Sequence, residues 1–299
     1  MKTLMPWLLI GALAALHPAQ AAGLRVFACE PEWAALATEL GGERVVVTSA
    51  THAEQDVHYI QARPSLISQL RRADLLVCTG AGLEEGWLPM LLRRANNPAV
   101  QPGRPGHLLT AEHVPLLGTP DQVDRGQGHI HAEGNPHLQL DPRHIARLAP
   151  VLAERLAALD PDGAAQYRER LAGFEGRWAE ALAGWEARAA RLHGLRVVAH
   201  HEDWLYLAAW LELEIVGKLE PLPGVPPSSG HLARLEAGLA GQPPAAILRT
   251  VYQDSRPADW LAARTGVPVL ALPHTVGGEA SDLQALFERI ITALEGVAP

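Results

Sequence analysis

Residues 24–48 read LRVFACEPEWAALATELGGERVVVT. The opening run, 24–29, is apolar and short, as a strand buried on both faces is. Apolar residues then recur at helical spacing over 32–40 until Gly41-Gly42 stops them, and 44–48 is a second β-branched run. Strand, short helix and strand make a β-α-β unit, and its two strands must lie parallel because a helix carries the chain back between them. Working outward, Pro64 opens a helix to about residue 72, residues 74–79 read as the next strand, and Gly80-Ala81-Gly82 turns the chain into a helix over 83–94. The alternation predicts an α/β fold with a mostly parallel sheet covered by helices on both faces.

Between 95 and 136 the chain is rich in Pro, Gly, Asn and His, and it reads as loops with short elements. Beyond it, Tyr167, Leu171, Phe174, Trp178, Leu182, Trp185, Ala189 and Leu192 fall three or four apart, one stripe of a helix spanning 160–192. At 1.5 Å per residue such a helix is roughly 50 Å long, more than one lobe needs, so it is expected to join two. The pattern then restarts. Residues 195–204, LRVVAHHEDW, resemble 24–33, LRVFACEPEW, and strand signals at 245–251 and 267–272 with a helix at 282–294 complete a second α/β lobe. The expected organisation is a leader over 1–21, lobes over 22–159 and 193–299, and the linker helix between them.

Composition narrows the function. The 299 residues carry 25 Lys and Arg against 33 Asp and Glu, a formal charge of -8, which disfavours a nucleic-acid binder. Lys2, an apolar run over 4–16 and Ala19-Gln20-Ala21 read as a secretory signal cleaved after Ala21; the run is too short to span a bilayer. In the oxidising space so reached, Cys29 and Cys78 either pair or pack as free thiols at buried strand ends.

Fourteen histidines are the compositional oddity. In parallel α/β sheets ligands bind beyond the carboxyl ends of strands. His58, His137, His201 and His274 occupy or follow such places, and converging neutral imidazoles suit zinc better than manganese or calcium. Glu30, Glu32, Glu84 and Glu85 read as helix-start acids facing solvent. Gly80-Ala81-Gly82 lacks the remainder of a dinucleotide fingerprint and reads as a turn.

Four segments together resemble the metal-specific solute-binding proteins of bacterial ABC importers, the zinc and manganese class: 56–65 (DVHYIQARPS), 134–137 (GNPH) with Asp141-Pro142, 201–206 (HEDWLY) and 220–228 (EPLPGVPPS). The resemblance covers nearly the whole chain after residue 21. It implies two α/β lobes bridged by one long rigid helix, a single divalent metal between them, and His58, His137 and His201 as three ligands, a set of the zinc rather than the manganese type. Aligning the family's fourth-ligand turn on Gly277 puts His274 where an Asp is usual, with Asp254, Glu202 and water as the other candidates. The His-rich loop of zinc-type relatives is reduced here to His129, His131 and Glu133. The implied protein is a periplasmic, monomeric zinc receptor, not an enzyme, that serves a membrane permease without entering the membrane itself. Its rivals are an exported zinc hydrolase, with Glu202 as base, and a periplasmic metal buffer of the same fold.

Overall fold

The computed structural model describes residues 23–120, 122 and 131–299; the leader expected over 1–21 and His129 lie outside them. Two four-stranded sheets, wholly parallel, form the two lobes. The first is ordered β2-β1-β3-β4, from β1 (Leu24–Ala28), β2 (Val45–Ser49), β3 (Leu75–Cys78) and β4 (His107–Leu109). The second is ordered β6-β5-β7-β8, from β5 (Arg196–Ala199), β6 (Glu214–Lys218), β7 (Ala246–Thr250) and β8 (Val269–Leu272). Adding four to each strand number of the first sheet gives the second. The two 24–33-like segments thus occupy equivalent places, and their tryptophans, Trp33 and Trp204, are both wholly buried.

β4 and β6 were not legible as strands in the sequence, and both are edge strands. β4 has three residues and β6 is exposed or half-buried throughout, so neither shows the apolar run of a central strand. The helix expected over 83–94 begins only at Leu88 (α3, Leu88–Ala95). The preceding residues turn instead, because Gly80, Ala81 and Gly82 all take positive φ and Glu84 folds back to accept hydrogen bonds from the Thr79 and Gly80 N–H groups.

The remaining helices are α1 (Pro31–Gly41), α2 (Pro64–Arg71), α4 (Pro142–Leu159), α5 (Ala164–Ala189), α6 (Leu205–Leu211), α7 (Ser229–Leu239), α8 (Arg256–Thr265) and α9 (Leu283–Glu295). α5 joins the lobes. Its 26 residues make it roughly 39 Å long, shorter than the stripe because Pro161–Gly163 forms its own 3-10 turn and residues after 189 turn toward β5.

α5 is packed along its whole length. Phe174, Trp178 and Trp185 follow one another along its buried face, with ring centroids 5.2 and 5.4 Å apart, and Phe287 of α9 lies 5.8 and 5.3 Å from the two tryptophans. The Trp178 indole N–H donates to the Pro142 carbonyl at 2.9 Å, and Arg188 is forked between Glu288 and Glu295 of α9. α9 also packs on α1, so the chain's last helix ties the second lobe to the first. One apolar cluster runs through α1, α4, α5, α9 and both sheets.

Cys29 and Cys78 form a disulfide joining the ends of the central strands β1 and β3, with Cα atoms 4.8 Å apart. Both are fully buried.

Candidate metal centre

The strand ends of both lobes face a common cleft, and the site is assembled there from short local devices. His58 sits in a 3-10 turn (Val57–Tyr59) capped by Asp56, whose Oδ1 accepts from the His58 backbone N–H at 3.0 Å and from its Nδ1 at 2.8 Å. With Nδ1 engaged, Nε2 is the atom that faces the neighbouring imidazoles, the way an outer carboxylate orients a metal-binding imidazole. His201 follows β5, and its Nδ1 donates to Glu220 Oε2 at 2.6 Å. Glu220, just after β6, is itself held by the Gly224 N–H at 2.8 Å.

His137 is placed by its loop. Gly134 takes φ +133°, and a Cβ there would stand 2.9 Å from both Leu116 Cβ and the Leu117 carbonyl, which only glycine avoids. Asn135 accepts from the His137 N–H at 2.9 Å and donates to the Glu202 carbonyl at 2.8 Å. The Tyr206 hydroxyl donates to the Asn135 carbonyl at 2.7 Å and accepts from the Leu117 N–H at 3.0 Å. Asn135 and Tyr206 thereby tie the His137 loop to the turn bearing His201.

The structure brings His58, His137 and His201 together: ring centroids are 5.5 Å apart for His58 and His137, 6.1 Å for His137 and His201, and 6.4 Å for His58 and His201. Two residues join them that the sequence did not single out as ligands. Asp203, wholly buried, has Oδ1 3.5 Å from His137 Nε2, and donor atoms of His137, His201 and Asp203 lie within 4.8 Å of one another. His131 puts its Nε2 3.2 Å from His58 Nε2. That is close to the edge of a tetrahedral site, about 3.3 Å for nitrogens 2.0 to 2.1 Å from zinc. Asp203 was hidden in a turn where any polar residue fits, though its place two residues after His201 was a usable signal.

His274 follows β8, with its ring edge-on to Tyr252 at 4.9 Å and its carbonyl accepting from Gln139 Nε2 at 3.1 Å. It lines a small cavity that His58 and His137 also line. Glu202 is engaged by Lys218, and Asp254 by Arg256. Above the imidazoles a pocket of about 310 Å³ opens to solvent, walled by His131, His137, His201 and the Glu220–Pro223 segment.

The charges are mutually supporting. Burial holds His137 well below the usual imidazole range, and nearby His58, His201 and His131 add to this against Asp203. Its lone pair is therefore available at neutral pH. Burial also lowers His201, but Asp203 and Glu220 outweigh it and carry His201 up to about 9. Burial raises Asp203, yet the surrounding His201, His137 and His274, with a 2.7 Å hydrogen bond from Gln253, bring it to about 2. The cleft thus holds an ionised, fully buried carboxylate among imidazoles, which is where a divalent cation is stabilised.

Residues 26–297 match the family model described as zinc-uptake complex component A, periplasmic. The chain belongs to this family. Its description is that of an uptake component rather than an enzyme, and the Glu202 carboxylate is paired with Lys218. Among curated relatives, the zinc-binding lipoprotein AdcA of Streptococcus pneumoniae serotype 4 is 24% identical over 207 residues, 66% of this chain and 39% of that protein. The manganese-binding lipoprotein MntA of Halalkalibacterium halodurans is 29% identical over 128 residues, 43% of this chain and 37% of that one. The chain thus spans well under half the length of these relatives. In fold it is similar to a crystal structure of ZnuA (TM-score 0.77, 20% identity, covering 93% of this chain and 100% of that one). It is similar also to a manganese-bound periplasmic metal-binding protein of Candidatus Liberibacter asiaticus (TM-score 0.72, 17% identity, 91% and 99%).

The Glu220 carboxylate makes a prediction. In Glu220→Gln, His201 loses the charge of the carboxylate that orients it, and metal affinity is expected to fall roughly 10- to 100-fold. Its pH dependence should also flatten, since the support for His201 protonation weakens. Chelator-competition titrations at two pH values measure both; an unchanged affinity and slope would leave Glu220 without this role.

Proposed function

We propose that this family member is the zinc receptor of an ABC importer on the exported side of the membrane: it captures Zn²⁺ between its lobes and delivers it to a membrane permease. The observation that carries this is the convergence of three imidazoles, two held through Nδ1 by Asp56 and Glu220, beside the buried Asp203. His58, His137 and His201 are the nitrogen ligands. Asp203 supplies the oxygen, and His131 adds an imidazole on the solvent side. Imidazole nitrogens with a single carboxylate suit zinc; manganese prefers a shell richer in oxygen. Relatives named for zinc and for manganese both exist, so the donor set of this chain is what favours zinc here.

Reloading the metal-free protein from an equimolar mixture of divalent metals, followed by elemental analysis and a hydrolase screen, tests this. Zinc retained without turnover is expected. Manganese retained in its place, or zinc-dependent hydrolysis, would overturn it.

The pH dependence follows from His201. At about 9, its ring carries a proton at neutral pH in the metal-free protein, and zinc must displace that proton. As pH falls below 9 the competing proton is held more fully, so affinity should drop about tenfold per pH unit between pH 8 and 7. Calorimetry in buffers of different ionisation enthalpy should show about one proton released per zinc at pH 7. Equal affinities at the two pH values would argue against imidazole ligation.

A further inference from the structure

A second, smaller cavity adjoins the cleft and shares His58 and His137 with it; Glu30, Glu32, Gln139 and His274 are among its other walls. Its volume is about 10 Å³, room for one water-sized occupant. Glu30, Gln139 and His274 are 1%, 3% and 4% exposed, and each has hydrogen-bonding capacity that the protein does not meet. Glu30 Oε2 accepts from the Thr79 N–H and hydroxyl, but Oε1 has no protein partner. Gln139 Nε2 donates to the His274 carbonyl, but Oε1 has none. Neither ring nitrogen of His274 has one. Buried polar atoms are almost always paired, so four unpartnered ones around one cavity mark a place built for a polar occupant.

Charge says what kind. Glu32 and Glu84 are also buried beside Glu30, contrary to the solvated helix-start role their positions in the sequence suggested. Glu84 is drawn inward by the Thr79 and Gly80 N–H groups, and Glu32 accepts from the Thr275 hydroxyl. Among the described residues no Lys, Arg or His forms an ion pair with any of the three. Burial, reinforced by the charges of Glu84 and Glu32 and by a side-chain hydrogen bond between Glu30 and Glu84, holds Glu30 well above the carboxylate range. One water would satisfy some of the unpartnered atoms but would bring no positive charge.

We propose that this cavity is an inner site for a second divalent cation, held by the His274 imidazole, the Glu30 carboxylate and the Gln139 amide oxygen. The imidazole and carboxylate are a donor pair that zinc accepts. The inner site borders the cleft centre through His58 and His137, and rests on the reading of that centre only in using zinc as its probe.

The test is zinc stoichiometry of the full chain by chelator competition and elemental analysis, on the wild type and on His274→Ala, Glu30→Gln and His137→Ala. The wild type is expected to bind two equivalents. Both His274→Ala and Glu30→Gln should lose the inner one, with Glu30→Gln keeping the cleft affinity, while His137→Ala keeps the inner one alone. Glu30→Gln is nearly isosteric, and melting of each metal-free variant checks its fold. A wild type that binds one equivalent, lost in His137→Ala, overturns the inner site and leaves the cleft reading intact. A His274→Ala variant that loses the cleft zinc overturns it too, by making His274 a ligand of the cleft. One equivalent that survives His137→Ala but not His274→Ala supports the inner site and sinks the cleft reading.

Discussion

His137→Ala is expected to weaken zinc binding at the cleft by roughly 10²–10³-fold while leaving the metal-free fold intact. The magnitude follows from sharing the roughly 10–16 kcal/mol of a four-ligand zinc site among its donors: one ligand is worth about 3–4 kcal/mol, and each 1.4 kcal/mol is tenfold. His137 should sit at the upper end, because burial keeps its ring neutral and ready to bind when His201 must first lose a proton. The fold should survive because the His137 loop is held by its backbone and by Asn135, Gly134 and Tyr206, none of which touches the imidazole to do so. Thermal melts give a direct reading. Zinc in excess should raise the wild-type midpoint through mass action and raise that of the variant far less. A variant with wild-type affinity would remove His137 from the ligand set.

Removing the disulfide should have the largest effect on stability. Cys29 and Cys78 are separated by 49 residues, and a cross-link closing a loop of that length stabilises by about 4 kcal/mol through the chain entropy it removes from the unfolded state. The bond joins neighbouring central strands whose pairing is already made, with the Cys29 N–H donating to the Val77 carbonyl at 2.8 Å. The double substitution Cys29→Ala with Cys78→Ala is therefore expected to keep the fold and zinc binding but to lose about 4 kcal/mol in denaturant unfolding. Stability equal to the wild type would show that the two residues serve as well as buried thiols. A disulfide at this depth agrees with the exported location proposed for the chain.

The fold was legible in the sequence where the signal is local. Central strands are continuous apolar runs, α5 is a stripe at helical spacing, and both arise from neighbours along the chain. The edge strands β4 and β6 escaped because half of each faces solvent, which leaves no run to read. At the site, His58 and His201 stood out by their motifs and by positions beyond β2 and β5, and His137 by its motif alone. Asp203 and His131 did not, since their role depends on which loops face each other across the cleft.

The buried acids make the same point from the other side. Glu30, Glu32 and Glu84 lie where a helix start is normally wet, and nothing in their neighbourhood along the chain marks them as interior. Glu32 is covered by the turn after β8, from the far end of the sequence, which places Thr275 on it, while Thr79 holds Glu30 and Glu84 inward. Periodicity, being local, determined the two-lobed frame, and the motifs shared with the metal-receptor family singled out three of its imidazoles. Long-range packing alone decided the carboxylate at the centre, the disulfide and the inner cavity, because burial and convergence are set by contacts between residues that the sequence keeps far apart.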